Sequence, residues 1–202
     1  MHIAILGAGK VGTTLGRRLN EAGHTIVYGA RHPGDPKHEA QREQIDSIAN
    51  AAAQAEVVVL TTSRAGAQDA IVAAGSHAGK LLVDATNPIG PGMVLTHGTT
   101  DSGAEQVARW APGARVVKAF NSIGMEVMAN PHFANGHSVR WYCGDDEPAC
   151  DTVTTLARDI GFAPVRLGPL ARARFLEPAA LLWITATSAM GTREFSWGLL
   201  TR

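Results

Sequence analysis

Near the amino terminus an apolar run, Ile3-Ala4-Ile5-Leu6, passes directly into Gly7-Ala8-Gly9-Lys10-Val11-Gly12 and then into a helical pattern. The order of strand, glycine turn and helix opens a βαβ unit, and each glycine has its own task. Gly7 lets the chain reverse, Gly9 bares the backbone that a pyrophosphate must approach, and Gly12 lets the helix pack close to the strand. The free N–H groups and positive dipole end of the helix then face an anion, so Ala8, Lys10 and Val11 join the glycines as expected phosphate-binding residues. Glycine is abundant, 22 of 202 residues, and the motif alone is a weak signal. Its context gives it weight, because Val11, Leu15, Leu19 and Ala22 follow at helical spacing up to a stop at Gly23.

His24-Thr25-Ile26-Val27-Tyr28 reads as the second strand. At its end an NAD-binding chain usually carries an acid against the adenine ribose hydroxyls. This chain has Gly29-Ala30-Arg31-His32 instead, small residues followed by a guanidinium able to fork onto a 2′-phosphate. The expectation is therefore NADPH over NADH, with Arg31 as main discriminator and His32 beside it. The plainer alternative is an exposed loop arginine.

Lys plus Arg and Asp plus Glu number 18 each, so no basic field points to nucleic acid and the expected partners are small molecules. Cys143 and Cys150 form neither C-x-x-C nor a zinc spacing with histidines, and read as free thiols of a cytoplasmic protein. No stretch approaches the ~20 apolar residues of a membrane span, and the first strand leaves no room for a signal peptide. At 21.2 kDa the chain suits one domain, or one with a small annex.

Further along, Lys37–Gln44 reads as a short exposed helix, Ser47-Ile48-Ala49 as a small third strand and Asn50–Ala55 as another short helix. Glu56–Thr61 suits a strand buried on both faces of a parallel sheet. Its end, Thr61-Thr62-Ser63-Arg64, offers hydroxyls and one positive charge to a ligand, or caps the next helix, Ala65–Ala74; both can hold. Lys80–Ala85 is a strand, Thr86–Gly92 a rigid loop that places Asn87 and Pro88 where such sheets hold the reactive ring, and Thr99–Trp110 a helix with Asp101 or Ser102 as N-cap. Ala114–Phe120 and Ser138–Cys143 are strands, Pro148–Ile160 a helix, Ala163–Leu167 a strand, and Arg172 to about Met190 a long, mostly apolar helix. This cadence predicts an α/β, Rossmann-type doubly wound, mainly parallel sheet with a small C-terminal α/β extension ending in that helix. The division is 1–120 as dinucleotide-binding core and 121–202 as a C-terminal portion completing an acceptor cleft, packed with the core.

With Val116-Val117-Lys118-Ala119-Phe120-Asn121-Ser122, the glycine turn, Ala85-Thr86-Asn87-Pro88, Cys143-Gly144-Asp145-Asp146 and Gly168-Pro169-Leu170, nearly the whole chain resembles the NADPH-dependent reductases of the deazaflavin coenzyme F420. It is similar also to the cytosolic domain of the six-transmembrane metalloreductases. It departs from that pattern at Ser63-Arg64 and Met125. The resemblance implies hydride exchange between NADP(H) and a deazaflavin or related flavin. Asn121, Ser122 and Ile123 would line the acceptor cleft, with Asn87 and Pro88 opposite. Such a transfer needs proximity and orientation, and no side-chain nucleophile, acid or base is expected.

The remaining polar residues take modest roles. The eight histidines go to the surface or to caps, Asp145, Asp146 and Glu147 to capping a helix, and Cys143 to the core. Arg172 and Arg174 either clamp the acidic part of a deazaflavin, or Arg174 pairs with Glu177 at i,i+3. The apolar helix around Leu181–Ile184 is broad enough to mediate a homodimer. Two other functions fit the same motifs: NADPH-dependent reduction of a small carbonyl, imine or enone, and a non-catalytic NADPH sensor. The first usually needs a larger helical domain than the about sixty residues after Tyr142.

Overall fold

A computed structural model of the chain describes residues 1–134, 136–200 and 202. In chain order the elements are β1 (His2–Leu6), α1 (Lys10–Glu21), β2 (Thr25–Ala30), β3 (Ile45–Ser47), α2 (Ile48–Gln54), β4 (Val57–Leu60), α3 (Arg64–Ala73) and β5 (Leu81–Asp84). A short ribbon of β6 (Ile89–Gly90) and β7 (Val94–Leu95) follows, then α4 (Gly103–Trp110), β8 (Arg115–Lys118) and α5 (Met125–Ala129). The antiparallel pair β9 (His132–Phe133) and β10 (Gly136–His137), then β11 (Val139–Gly144), α6 (Glu147–Asp159), β12 (Ala163–Arg166) and α7 (Ala173–Met190), complete the order.

The main sheet has eight strands in the order β12-β11-β8-β5-β4-β1-β2-β3. All neighbours run parallel except β8 and β11, which pair antiparallel at Cys143↔Lys118 and Gly144↔Val117. The strand order reverses around β1, so a crevice opens at the carboxyl ends of β1 and β4. Helices cover both faces, as the sequence of β4 requires: Val57 and Val59 join the core shared with α1 and α6, while Val58 and Leu60 join the one shared with α2, α3 and α4. Each such fully buried valine or leucine contributes roughly 1.5–3 kcal/mol of transfer free energy.

Several expected boundaries move. The third strand is Ile45–Ser47 rather than Ser47–Ala49, because the Ser47 hydroxyl accepts from the Asn50 N–H at 3.2 Å and starts α2 at Ile48. The helix expected over 37–44 is a 3-10 turn, Pro36–Gln41, capped by Asp35, and it buries His38. The helix expected from Thr99 begins at Gly103 on a Ser102 cap, while Asp146 caps α6. His24 and His77 are buried too, against Asp159 and the Ile71 carbonyl, so histidine is less superficial than expected.

Beyond α7 the chain folds back. The Phe195 carbonyl accepts from the Trp183 indole N–H at 3.1 Å, and the Trp197 carbonyl from the Val139 N–H at 2.9 Å. No helix among the described residues is long and apolar enough to cross a membrane.

Candidate functional site

The glycine turn carries three distinct constraints. Gly7 has φ +112°, outside the reach of ordinary side chains, and its N–H donates to the Gly29 carbonyl at 3.0 Å. A Cβ on Gly12 would lie 2.0 Å from the Gly7 carbonyl oxygen, so nothing larger fits where α1 crosses β1. Gly9 differs: its φ is −84°, and no protein atom lies within 4 Å of where a Cβ would stand. Nothing in the protein demands a glycine there, and the space above it is open. No side chain caps α1, whose first N–H groups therefore face that space.

The opening is a cleft of about 690 Å³. The turn Gly7–Lys10 forms its floor, Arg31 and His32 stand on one wall and Thr61, Thr62 and Ser63 on the other. Val11 and Gly12 lie just inside α1. Arg31 is exposed and, among the described residues, holds no ion pair. Lys37 also lines the cleft and was missed by sequence reasoning; it pairs with Asp35 at 2.7 Å.

Three expectations change here. The Thr61 hydroxyl does not face the cleft as a free donor: it reaches the carbonyls of Leu6 and Gly7 at 3.1 and 2.9 Å and clamps the end of β4 onto the turn. The Thr62 Oγ1, by contrast, is buried with no partner among the described residues. Arg64 turns away, stacking 4.6 Å over the Trp110 ring and bonding Gln106; burial holds its pKa below the usual arginine range. Gly29 leaves room chiefly for the protein itself, since a Cβ would lie 2.8 Å from Leu6 and 3.2 Å from the Ile48 backbone.

Beyond β5 and β8 the chain brings Asn87 and Asn121 together. Asn87 Nδ2 donates to the Asn121 carbonyl at 2.7 Å, and Asn121 Nδ2 donates to Asn87 Oδ1 at 2.9 Å and to the Leu176 carbonyl at 3.0 Å. Pro88 and Ser122 are buried beside them and Ile123 is half-buried against the core. Just before this pair, Phe120 has φ +61°, a left-handed conformation that costs a bulky residue about 1–3 kcal/mol.

Arg174 does not pair with Glu177. It clasps Glu105 of α4 with two bonds, 2.9 and 2.6 Å, which hold the Glu105 carboxyl below the usual range, and it lines a separate cavity of about 700 Å³ beside Phe175 and Leu95. Glu177 turns inward instead. Its carboxylate accepts from the Gly103 and Ala104 N–H groups at 2.9 and 3.0 Å and lies 3.0 Å from Lys118 Nζ. Lys118 is wholly buried and also reaches Asp84 at 2.8 Å and the Thr86 carbonyl at 2.6 Å. Burial pulls its pKa down, but Asp84 and Glu177 outweigh that and hold it above the ordinary lysine value. Sequence reasoning missed this cluster, although a charge closing each of the apolar strands LLVD and RVVK was a visible signal.

Burial pushes the Cys143 thiol up to about 12 and raises Cys150 as well, so neither is a nucleophile at neutral pH. Among the described residues no group of three or more metal-ligating side chains gathers.

Sheet, crevice and glycine turn define a Rossmann-type dinucleotide-binding oxidoreductase fold. The family model described as "NADP oxidoreductase coenzyme F420-dependent" matches residues 2–88, and the crystal structure of a candidate F420-dependent NADP reductase from Arthrobacter sp. superposes with a TM-score of 0.91 at 34% identity, covering 100% of both chains. The chain belongs to this family of NADP-dependent oxidoreductases. It is also 34% identical over 184 residues to the rat metalloreductase STEAP3, covering 89% of this chain and 36% of that protein. The chain thus spans about a third of the length of the curated relatives it matches, mouse and human STEAP2 included. A reductive aminase from Aspergillus terreus, solved with NADPH and ethyl-5-oxohexanoate, shares the fold at 22% identity and a TM-score of 0.69, over 93% of this chain and 62% of that one.

Proposed function

We propose that this chain transfers a hydride between NADP(H) and the deazaflavin coenzyme F420 or a related flavin. The observation that carries the dinucleotide half is the bare space over Gly9 at the uncapped start of α1, with the free Arg31 on the same cleft. Gly7 to Gly12 would hold the pyrophosphate, Arg31 and His32 the 2′-phosphate, and Thr62 and Ser63 the adjoining wall, with Thr61 fixing the turn from behind. Asn87 and Pro88 would hold the nicotinamide end, and Asn121, Ser122 and Ile123 the acceptor ring.

NADPH, when bound, supplies the hydride. The chain's residues bind and orient: the Asn87–Asn121 pair gives the far end of the site a fixed wall, and the buried Pro88 and Ser122 keep water from it. No catalytic acid or base is assigned. Arg174, held by Glu105, is left out of the acceptor site. A small-molecule substrate, a cytoplasmic setting and a homodimer packed through α7 belong to the same reading. Phe175 and Leu182 stand 61% and 58% exposed on that helix, as a subunit interface requires.

The test mixes the purified protein with oxidised coenzyme F420 and NADPH, and follows loss of the deazaflavin's visible absorbance, with NADH and riboflavin phosphate as controls. Bleaching with NADPH and little with NADH is the expected result. Binding of NADPH with no bleaching would overturn the acceptor half and leave the dinucleotide half standing.

A further inference from the structure

Two rungs of polar contacts cross from β5 to β8, and α7 completes both. In the first, Asp84 and Lys118 are register partners on the two parallel strands, their side chains meet at 2.8 Å, and Glu177 adds a third member 3.0 Å from Lys118. Three residues beyond the end of each strand comes the second, Asn87 with Asn121, whose third member is the carbonyl of Leu176 at 3.0 Å. Consecutive residues of one helix thus close consecutive rungs. Between them lies the left-handed Phe120, a strained position that persists only where its surroundings dictate it from both sides. Asp84, Lys118 and Glu177 are all at most 1% exposed. Removing such charges from water costs several kcal/mol per ion, and apolar side chains would commonly pack the same space as well. Cohesion alone is a weak reason for this cluster.

We infer that Glu177 is a positioning residue: through Lys118, and through the helix that also presents the Leu176 carbonyl, it sets the angle of the Asn87–Asn121 pair and so the seat of the nicotinamide and acceptor rings. The inference rests on the function proposed above. It gives α7 a role in the reaction geometry that its exposed apolar face does not suggest. Phosphate binding at Gly9 and Arg31 lies across the sheet from the rungs, on the β1 and β2 side of the switch point, and is independent of them.

The test uses Glu177→Gln, which keeps the size of the side chain and removes its charge from Lys118. Three quantities are read: the Kd for NADPH, the fluorescence lifetime of bound NADPH, which lengthens when the nicotinamide is firmly seated, and kcat with coenzyme F420. The expected result is a Kd within about threefold of wild type, a shortened lifetime, and a kcat about ten- to a hundredfold lower, since a displacement of the order of 1 Å is enough for such a loss. Wild-type lifetime and wild-type kcat per folded molecule, with only a lower Tm, would make Glu177 purely structural and overturn the inference. A loss of NADPH affinity as large as the loss of kcat would also overturn it, because the rungs would then support the whole nucleotide site. If Glu177→Gln does not fold, Glu177→Asp retains the charge one methylene short and is judged on the same three readings. A wild-type protein that binds NADPH but reduces no acceptor refutes only the proposed reaction, and the lifetime comparison still decides the inference. One that binds no NADPH refutes both.

Discussion

Gly12 and Thr61 meet so closely that a methyl group on Gly12 would stand 2.6 Å from the Thr61 hydroxyl oxygen, and that hydroxyl is itself fixed on the Leu6 and Gly7 carbonyls. Gly9, three residues earlier, has no such neighbour. The two glycines should therefore respond oppositely to alanine. Gly12→Ala overpacks the turn and is expected to lower stability by about 1–3 kcal/mol. Gly9→Ala should stay within about 0.5 kcal/mol of wild type, yet weaken NADPH binding at least tenfold by standing where the pyrophosphate approaches. Urea unfolding and fluorescence titration of both variants check the contrast. Equal stability loss in the two would remove Gly9 from the ligand's path.

Arg31 is exposed at the cleft and holds no ion pair among the described residues, so substituting it breaks no contact that stabilises the fold. A charge-assisted hydrogen bond to a 2′-phosphate is worth roughly 1.5–3 kcal/mol. Arg31→Ala should thus raise the Kd for NADPH about ten- to a hundredfold, leave that for NADH within a factor of two or so, and leave Tm unchanged. Calorimetric titration with both nucleotides reads the difference directly.

The glycine turn and the alternating strands were legible because their signals are local: three glycines at fixed offsets after Ile3–Leu6, and apolar runs such as Val57–Leu60. Partners across the fold were not. Arg174 and Glu177 stand at a spacing that favours a pair on an isolated helix, yet α4 lies against that helix and offers Arg174 the Glu105 carboxylate, while its first N–H groups and Lys118 draw Glu177 inward. Helical spacing says which residues share a face, and only packing says which face is buried. The β6–β7 ribbon and α5, at two and five residues, are too short for a periodic signal. Ile48 and Ala49 illustrate helix residues read as strand, because an alanine-rich stretch carries little amphipathic contrast.

The Arg174 clasp leaves a trace in the acid response. Its hydrogen bonds depress the Glu105 pKa, so the contribution of this contact to stability is present above the ordinary glutamate value of about 4.3 and is lost as pH falls through the lower folded value. Glu105→Gln removes the charged partner at every pH. The Tm difference between wild type and Glu105→Gln should therefore be largest near neutrality and close as pH falls below about 4. A difference that stays constant down to pH 3 would show that the lost stability comes from the Ser102 cap, which Glu105 also meets at 2.7 Å, and not from the ion pair.

Lys118 gives the opposite sign. Burial lowers its pKa and the Asp84 and Glu177 carboxylates raise it, with the carboxylates prevailing. A raised folded pKa means that the contribution to stability is complete below the unfolded value of about 10.4 and is lost as pH rises through the folded value above it. Lys118→Met leaves the carboxylates of Asp84 and Glu177 buried without their ammonium, which should cost roughly 3–5 kcal/mol at pH 7. That deficit should shrink above about pH 10.4, where the unfolded wild-type chain begins to release the proton that the folded one still holds. Adding Glu177→Gln to Lys118→Met should restore part of the loss, since one uncompensated carboxylate goes with it, so the double variant is expected to be more stable than the sum of the two single losses predicts. Urea unfolding of the three variants at pH 7 and pH 11 measures both effects. A Lys118→Met loss below about 1 kcal/mol at pH 7 would mean that the two carboxylates find water or protons on their own, and that the ammonium is not what joins β5, β8 and α7.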